Sequence, residues 1–384
     1  MKIERINLYH VSLPFLSAFT HSIRSGTSAE NIIVKTTAGD GGVTGYGEGA
    51  PRPYVTGETQ ESSTESLGLF LCRPDFPWDL EDITQVWGFI DGLPEQRKHN
   101  AALCALELSL LDFVGKLDGR SIVEYFPRDK WTDTIFYGAA IPLDKKNRII
   151  EIAMFIQRLG ISKIKLKMGR DLNQNREIIR AVVDIFGRNC DIKLDVNGAW
   201  ERDLALRHVP LIEEYNIRVV EQPMMPGDQG LAEFSRRLKQ LGVRLMADES
   251  VCTLEDAKRM LTEGYYDMVN IRLSKCGGFR RSLRIIGYLR EQGIPFQIAC
   301  QLGESGLLSA AGRALSLLCK DSLYYDGSYD RFLLKENITI EDVSFGPGGK
   351  AGPLGGTGLG IRVNHNNLRG MSLSSVTFTN PCRH

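Results

Sequence analysis

One pattern repeats three times between residues 191 and 250, and it gives the clearest prediction of the fold. Each repeat is a short apolar run that ends in a carboxylate: IKLDVN at 192–197, RVVEQP at 218–223 and RLMADES at 244–250. Short runs of apolar and β-branched residues are typical of buried strands. The polar stretches between them favour β/α units with parallel strands.

The pattern continues on both sides of this stretch. Eight short apolar runs alternate with polar or amphipathic stretches such as Asn173–Phe186 and Leu254–Glu263. The runs are Thr134–Ile141, Ile161–Lys167, Asp191–Asp195, Arg218–Glu221, Arg244–Asp248, Asp267–Leu273, Pro295–Cys300 and Ser322–Asp326. Eight consecutive β/α units predict an α/β protein with a closed (β/α)8 barrel. The alternative is a doubly wound open sheet, which would need a glycine-rich phosphate fingerprint that the sequence lacks.

The two ends of the chain have a different character. The first part is β-rich, with an extended run at Ile32–Thr36 and a glycine-dense stretch at Gly39–Gly49 that suits a hairpin, and helical spacing follows. We predict an N-terminal α+β capping domain over residues 1–130 and the barrel, with its catalytic site, over 131–330. A C-terminal segment over 331–384 is predicted to return to the capping domain.

Composition narrows the classes of function. The 384 residues include 47 basic and 47 acidic side chains, and this balance argues against a broad nucleic-acid-binding face. No stretch approaches the roughly 20 apolar residues of a membrane span, and the N-terminus lacks the apolar core of a signal peptide. The eight cysteines are scattered without a C-x-x-C pair, which is typical of free thiols in a reducing compartment. We therefore expect a cytoplasmic protein that binds neither nucleic acid nor membrane.

The carboxylates of the opening stretch, Asp195, Glu221 and Asp248, end three consecutive predicted strands. Functional residues of β/α barrels lie at the carboxyl ends of strands, and neighbouring strands are about 4.8 Å apart, so these side chains should converge. Three buried like charges repel one another, and a hard divalent cation with oxygen ligands offsets that cost. We predict Mg²⁺, with Mn²⁺ as a substitute. Taken singly, each acid could instead be a loop residue or a helix N-cap.

Lysines occupy the neighbouring predicted strand, KIKLKMG at 163–169. Strand periodicity places Lys165 and Lys167 on one face, beside the proposed metal. Lys275 follows the sixth strand, which lies opposite the second in an eight-stranded barrel. Because desolvation and a like-charged neighbour lower the pKa of a lysine, Lys167 and Lys275 are candidate bases, with Lys165 lowering the pKa of Lys167 and contacting a substrate carboxylate. The alternative is a solvated edge strand whose lysines point outward.

This combination of groups predicts carbon-acid chemistry. A metal that coordinates a substrate carboxylate stabilises the enediolate formed when the α-proton leaves. A base on each face of the substrate allows removal from one side and return on the other, which is racemisation or epimerisation. One base alone would suit elimination or cycloisomerisation, with the second lysine as an electrostatic support.

These motifs resemble the enolase superfamily, and within it the muconate-lactonizing-enzyme (muconate cycloisomerase) subgroup. The matching motifs are KLK at 165–167, DVN at 195–197, EQP at 221–223, DES at 248–250 and KCGG at 275–278. The resemblance implies that Asp195, Glu221 and Asp248 ligate Mg²⁺ and that Lys167 and Lys275 form the acid/base pair. It also implies that the N-terminal domain closes over a small-molecule carboxylate substrate, and that the chain forms a homo-oligomer.

The resemblance further implies which residues contact the substrate. The candidates are Thr20 and Arg24 in a loop of the capping domain, Asn197 after strand three, Glu304 after strand seven and Asp326 at the end of strand eight. Arg24 could hold a distal carboxylate.

Two substrate classes stay open. The stretch Pro53–Thr59 resembles dipeptide epimerases of the L-Ala-D/L-Glu type, which usually carry D-x-D at the end of strand eight to hold the substrate ammonium. Here Asp326 is present, but Ser328 stands in the second place, although Asp330 could substitute. An N-substituted amino acid or a proline-like substrate is the alternative.

Three functions follow from these observations. The first is a Mg²⁺-dependent racemase or epimerase acting on an amino-acid derivative such as a dipeptide. The second is a cycloisomerase or a dehydratase such as o-succinylbenzoate synthase. The third is a non-catalytic barrel kept as a binding or structural protein, for which damage at the ligand positions would be expected.

Overall fold

The computed structural model describes residues 2–21, 24–39, 42–188 and 190–380, apart from the side chains of residues 18–21, 24 and 25. Its strands are β1 Ile3–His21, β2 Arg24–Ala38, β3 Thr44–Gly49, β4 Ile135–Phe136, β5 Ala139–Ile141, β6 Lys163–Lys167, β7 Asp191–Asp195, β8 Val219–Glu221, β9 Arg244–Ala247, β10 Met268–Arg272, β11 Phe296–Ala299, β12 Tyr324–Tyr325, β13 Lys350–Ala351 and β14 Ser372–Thr379. Its helices are α1 Gln60–Leu71, α2 Ile83–Asp91, α3 Asn100–Asp118, α4 Lys146–Arg158, α5 Leu172–Phe186, α6 Arg202–Glu214, α7 Leu231–Gln240, α8 Leu254–Glu263, α9 Leu273–Cys276, α10 Phe279–Glu291, α11 Gly306–Leu318, α12 Asp330–Leu333 and α13 His365–Met371. Among these helices, none combines the length and the apolar character that crossing a bilayer requires.

Strands β5 to β12 form one eight-stranded parallel sheet in chain order. The sheet curls until its first and last strands meet, since the Gly138 N–H donates a 2.7 Å hydrogen bond to the Tyr325 carbonyl. Sequential parallel order with intervening helices confirms the predicted barrel fold class. A doubly wound sheet would instead reverse its strand order at a switch point.

Successive side chains along each strand point alternately into the hydrophobic core and toward the site. On β7, Ile192 and Leu194 belong to the main hydrophobic core. Lys193 and Asp195, between and beyond them, point to the opposite side, which is the barrel interior. Strand-end carboxylates and lysines therefore face one enclosed space, while the apolar half of each strand packs against the rest of the core.

The capping domain is built on a four-stranded antiparallel sheet in the order β14-β1-β2-β3. The predicted hairpin is confirmed, because β2 and β3 pair in antiparallel register. The final strand is Ser372–Thr379, and before it Val363 makes an isolated bridge with Thr339. The C-terminal strand pairs with β1, but the proposed boundaries of the three domains stay predictions.

Buried acids of the capping domain fix it to the barrel. Glu48 of β3 accepts hydrogen bonds from the Ser305 and Leu308 N–H groups, at 3.0 and 2.9 Å, where α11 begins. Glu107 of α3 accepts from the N–H groups of Phe279 and Arg280, at 2.6 and 2.8 Å, in the first turn of α10. Carboxylates satisfy the otherwise unpaired N–H groups of a helix start. Since α10 and α11 begin at the carboxyl ends of β10 and β11, these contacts hold the cap over the barrel mouth.

Candidate active site

Three carboxylates lie at the edge where the parallel strands end. Asp195 closes β7 and is the register partner of Glu221, which closes β8, and Asp248 directly follows β9. All three side chains are fully buried. The Lys165 Nζ atom lies 3.8 Å from Asp195 and 3.5 Å from Glu221. The Arg272 guanidinium lies 3.8 Å from Glu221 and forms an ion pair with Asp248, so cations link all three acids.

Lys167 lies at the end of β6, beside the first acid. Its Nζ donates to Asp195 Oδ2 and to Asn197 Oδ1, each at 2.6 Å. Part of its side chain, 15%, is exposed, whereas the carboxylate of Asp195 is completely buried. The ammonium group therefore lies where the buried acids meet accessible space.

Lys165 is held by carboxylates on three sides. Its Nζ lies 3.0 Å from Asp326 in addition to the two acids named above. Burial alone would lower the pKa of Lys165, but Asp326, Glu221 and Asp195 outweigh burial and raise this pKa well above its ordinary value. These carboxylates thus favour the charged form of Lys165. The predicted influence of Lys165 on Lys167 stays a prediction.

Lys275 lies on the other side of the same acids. The predicted sixth strand ends earlier than expected, at Arg272, and Lys275 belongs to the short helix α9. Its fully buried Nζ donates to Asp248 Oδ1 at 3.0 Å, to the Asp248 carbonyl at 2.7 Å and to the Asn270 carbonyl at 2.6 Å. Burial lowers the pKa of Lys275. Because β6 and β10 are four strands apart in the curled sheet, Lys167 and Lys275 approach the acids from opposite sides.

Two residues of β10 also contact the acids, and neither was predicted as a site residue from the sequence. Arg272 pairs with Asp248 and donates to Gln301 Oε1 at 2.8 Å. Asn270 Nδ2 donates to Glu221 Oε1 at 2.6 Å. Asn270 and Arg272 stand two positions apart at the end of a strand. Their position at the carboxyl end of a barrel strand was the signal in the sequence for both residues.

Lys193 and Glu249 were also missed. Lys193 lies two residues before Asp195 on β7, and its Nζ is 3.0 Å from Asp326. Glu249 accepts from Asn197 Nδ2 at 3.2 Å, and burial together with the nearby Asp195 charge raises the pKa of Glu249 to about 7. The alternation of side chains along β7 was a signal for Lys193.

The predicted substrate contacts are only partly described. Asn197, in a left-handed conformation with φ of 49°, bonds to both Lys167 and Glu249. Glu304 accepts from the Gln301 N–H at 2.5 Å, and burial raises the pKa of Glu304 to about 8. Thr20 and Arg24 were predicted in the capping loop, and their side chains lie outside the described residues.

A cavity of about 250 Å³ opens between the capping domain and the loop after β11. Its walls include Phe15, Ser28, Glu30, the segment 51–54 and Leu302. Glu304 lies two residues beyond Leu302 in the same loop. The cavity thus adjoins the loop that carries one of the predicted substrate contacts.

The acids fit a divalent cation by donor chemistry. Asp195, Glu221 and Asp248 supply hard carboxylate oxygens, which Mg²⁺ prefers. Glu221 Oε2 is buried and accepts no hydrogen bond from any described residue. In the present arrangement, Lys165 and Arg272 lie among these carboxylates. Within the described chain, no three acidic, histidine or cysteine side chains are grouped tightly enough to hold an ion. The predicted metal site therefore stays a prediction.

The curated relatives of the chain include epimerases, a racemase and a synthase. A hydrophobic dipeptide epimerase of Enterococcus faecalis is 27% identical over 316 residues, covering 81% of this chain and 86% of the relative. An N-succinyl-L-Arg/Lys racemase of Bacillus cereus is 28% identical over 317 residues, covering 81% and 83%. An o-succinylbenzoate synthase of Bacillus subtilis is 27% identical over 385 residues, covering 99% of each chain.

A solved structure shows the same architecture. The dipeptide epimerase of Enterococcus faecalis V583, in complex with Mg and the dipeptide L-Leu-L-Tyr, is 25% identical with a TM-score of 0.82, covering 94% of this chain and 99% of its own. The family described as enolase C-terminal domain-like matches residues 149–367, which is more than half of the chain. The curled sheet, the strand-end acids and this match agree, and the chain belongs to the enolase C-terminal domain-like family of the enolase superfamily.

Proposed function

We propose that the chain is a Mg²⁺-dependent racemase or epimerase that removes the proton next to the carboxylate of an amino-acid derivative, such as a dipeptide. One observation carries this proposal. Lys167 and Lys275 approach a single group of buried carboxylates from opposite sides of the barrel mouth. Two bases so placed can take a proton from one face of a carbon and return one to the other. The epimerases and racemases among the relatives support this reaction class.

Three lysines have different roles in the proposed proton transfer. Burial lowers the pKa of Lys275, which favours a role for Lys275 as the group that takes a proton. Lys167, on the opposite side, serves as the partner that returns a proton. Lys165 keeps its positive charge and stabilises the charge that the substrate carboxylate gains in the enediolate.

Asp195, Glu221 and Asp248 are the residues that would hold the metal. When bound, Mg²⁺ supplies positive charge beside the substrate carboxylate and so favours loss of the α-proton. Asn197 and Glu304 are proposed to contact the substrate, and Thr20 and Arg24 are proposed to close the capping loop over it.

Deuterium exchange at the α-carbon tests the two-base proposal. Each stereoisomer of a substrate is incubated in D₂O with Mg²⁺, and deuterium uptake is followed by mass spectrometry. We expect Lys167→Ala to lose exchange from one isomer and Lys275→Ala to lose exchange from the other, each by about 100-fold or more. Lys163→Ala is the matched control, because Lys163 lies on the same strand at the far end from the acids and donates to the Leu323 carbonyl.

The result that would contradict the two-base proposal is specific. If both variants keep full exchange from both isomers, neither lysine is a base. If both lose exchange from the same isomer only, a single base acts and the second lysine has another role.

A lyase-type reaction is the second candidate. The o-succinylbenzoate synthase relative aligns over almost the entire chain and supports it. A cycloisomerase or dehydratase needs one base and leaves the second lysine as an electrostatic support. Net product formation without α-epimerisation would favour this reaction. A non-catalytic barrel is not supported, because both lysines and all three acids are present in the sequence.

Location and assembly belong to the same proposal. We infer a cytoplasmic protein, and the seven cysteines within the described chain, all free thiols, support a reducing compartment.

We also infer a homo-oligomer. The edge strand β14 supports it by exposing Leu373 and Val376, at 64% and 37%. Light scattering in solution gives the mass that decides between one copy and several.

A further inference from the structure

The last strand of the capping sheet has a free edge. In the part of the chain that the structure describes, β14 stands at the end of the order β14-β1-β2-β3, and β1 is its one strand partner. The register between the two strands is regular from Ser374 to Thr379. Backbone N–H and C=O groups of an antiparallel strand point to both of its sides, so β14 also directs some of them away from β1. Such a row of groups is a template for pairing with another strand.

The strand lacks the residues that usually protect an edge from pairing. Its sequence, SLSSVTFT at 372–379, contains no charged residue and no proline. Leu373 is 64% exposed and Val376 is 37% exposed, although both side chains are apolar. The β-branched and aromatic residues from Val376 to Phe378 favour an extended conformation. These properties suit β14 to contact with a further strand.

The two faces of β14 restrict how a partner strand can lie. Val376 and Phe378 are the register partners of Leu8 and Ile6, which are completely buried. They therefore lie on the face that α1 covers, and a Cβ on Gly68 of α1 would be 3.7 Å from the Phe378 ring. A partner sheet that carries its own helix on the same side must pair so that residues of this face lie opposite one another.

We propose that β14 pairs in antiparallel orientation with β14 of a second copy of the chain, about a two-fold axis at Val376. The inference rests on the homo-oligomer proposed above and names its interface. In this register Val376 lies opposite its own counterpart, and Leu373 lies opposite the counterpart of Thr379. The paired stretch, 373–379, is about 24 Å long. The two four-stranded capping sheets then form one continuous sheet.

A second copy fits this edge better than an unrelated strand. Two identical strands that pair about a two-fold axis cover both free edges at once, whereas a head-to-tail contact would leave an edge open for further growth. Charge does not oppose the contact, because the 47 basic and 47 acidic residues give the chain no formal net charge and β14 itself is uncharged. At the axis, two apolar β-branched side chains would cover each other.

Opposite charges at the two-fold axis test the proposal. We expect the full-length wild type to associate in sedimentation equilibrium, and Val376→Lys and Val376→Asp each to weaken association by about tenfold or more, because like charges then lie opposite one another. An equimolar mixture of the two variants should associate more tightly than either alone, since lysine then faces aspartate. Met154→Lys is the matched control, because Met154 is 49% exposed on α4 of the barrel.

Hydrogen exchange separates the loss of the interface from the loss of the strand. In the associated wild type, outward-facing amides of 373–379 should be protected, and dilution should remove that protection. In Val376→Lys the same amides should exchange fast, while the amides of β1 and the circular dichroism stay unchanged. If neither variant folds, the dependence of wild-type exchange on concentration decides the question, and protection that does not change on dissociation contradicts the pairing of β14.

Failure of the homo-oligomer and failure of the interface give different results. A wild type that is monomeric at every concentration tested overturns both. If the wild type associates and both folded variants keep its dissociation constant, the copies meet elsewhere and only the inference about β14 falls. A mixture of folded variants that associates no better than each alone contradicts the axis at Val376. The epimerase proposal is judged separately, by deuterium exchange at the substrate.

Discussion

Among the described residues, Glu221 accepts a hydrogen bond through one of its two carboxylate oxygens. Asn270 donates to Oε1 at 2.6 Å, while Oε2 is buried and accepts no hydrogen bond from the described residues, although Lys165 Nζ lies 3.5 Å away. A buried carboxylate oxygen without a hydrogen bond costs free energy unless some group compensates it. A divalent cation bound at this oxygen would therefore stabilise the site.

Neutralising Glu221 should weaken metal binding. We expect Glu221→Gln to lower the affinity for Mg²⁺ by about tenfold or more, because an amide loses both the charge and one of the oxygen donors. Isothermal titration calorimetry with Mg²⁺ measures the change. Glu213→Gln, on the exposed side of α6, is the matched control. Equal affinities in wild type and Glu221→Gln would remove Glu221 from the proposed ligand set.

At the scale of elements, the glycines of β3 allow α3 to lie directly on the capping sheet. Gly45, Gly47 and Gly49 alternate along the strand, and a Cβ on any of them would overlap the backbone of α3. Their neighbours on α3 are spaced four residues apart, at Ser109, Ala105 and Ala101. Alternate residues of β3 therefore contact a single face of α3. The close contact also positions Glu107 of α3, whose carboxylate accepts hydrogen bonds at the start of α10.

A methyl group in this contact should destabilise the fold. We expect Gly47→Ala to lower the free energy of unfolding by about 3 kcal/mol, because strand and helix backbones would have to separate. Gly88→Ala is the matched control. Gly88 lies in α2 with nothing within 4 Å of an added Cβ, and there alanine should add about 1 kcal/mol of stability. Urea unfolding measures both values, and equal effects of the two substitutions would contradict the close approach of α3.

At the scale of the molecule, Glu107 makes the contact between cap and barrel sensitive to pH. Burial raises the pKa of Glu107 from 4.5 to about 7, although the Arg280 and Phe279 N–H groups favour its charged form. Between these two pH values the folded chain holds a proton that the unfolded chain has released. Since stability falls with pH wherever the folded state binds more protons, this carboxyl contributes stability below pH 4.5 that is lost as pH rises through 7.

The effect of Glu107 on the free energy of unfolding is large enough to measure. The difference between the two pKa values corresponds to about 3 kcal/mol. We expect the wild type to lose stability relative to Glu107→Gln by an amount of this order between pH 4.5 and 7.5, as measured by urea unfolding at several pH values. Glu214→Gln, on the surface of α6, should follow the wild type. Parallel pH profiles for wild type and Glu107→Gln would show that Glu107 does not hold this proton.

The barrel, the strand-end acids and the strand of lysines could be predicted from the sequence, because these features depend on local periodicity. A run such as KIKLKMG at 163–169 shows which side chains share a face, and the end of each run shows which lie at the mouth. The same periodicity places Lys193 on the face of Asp195, and it places Asn270 and Arg272 together at the end of β10.

The pairing of these groups could not be predicted from the sequence. Lys193 and Asp326 are 133 residues apart, and no local pattern indicates that one compensates the other. Arg272 among the acids, Glu107 on α10 and β14 beside β1 likewise depend on how the chain closes on itself. The physical reason is that buried charges are satisfied by whichever partner the closed barrel brings near, and that choice is made by the packing of distant elements.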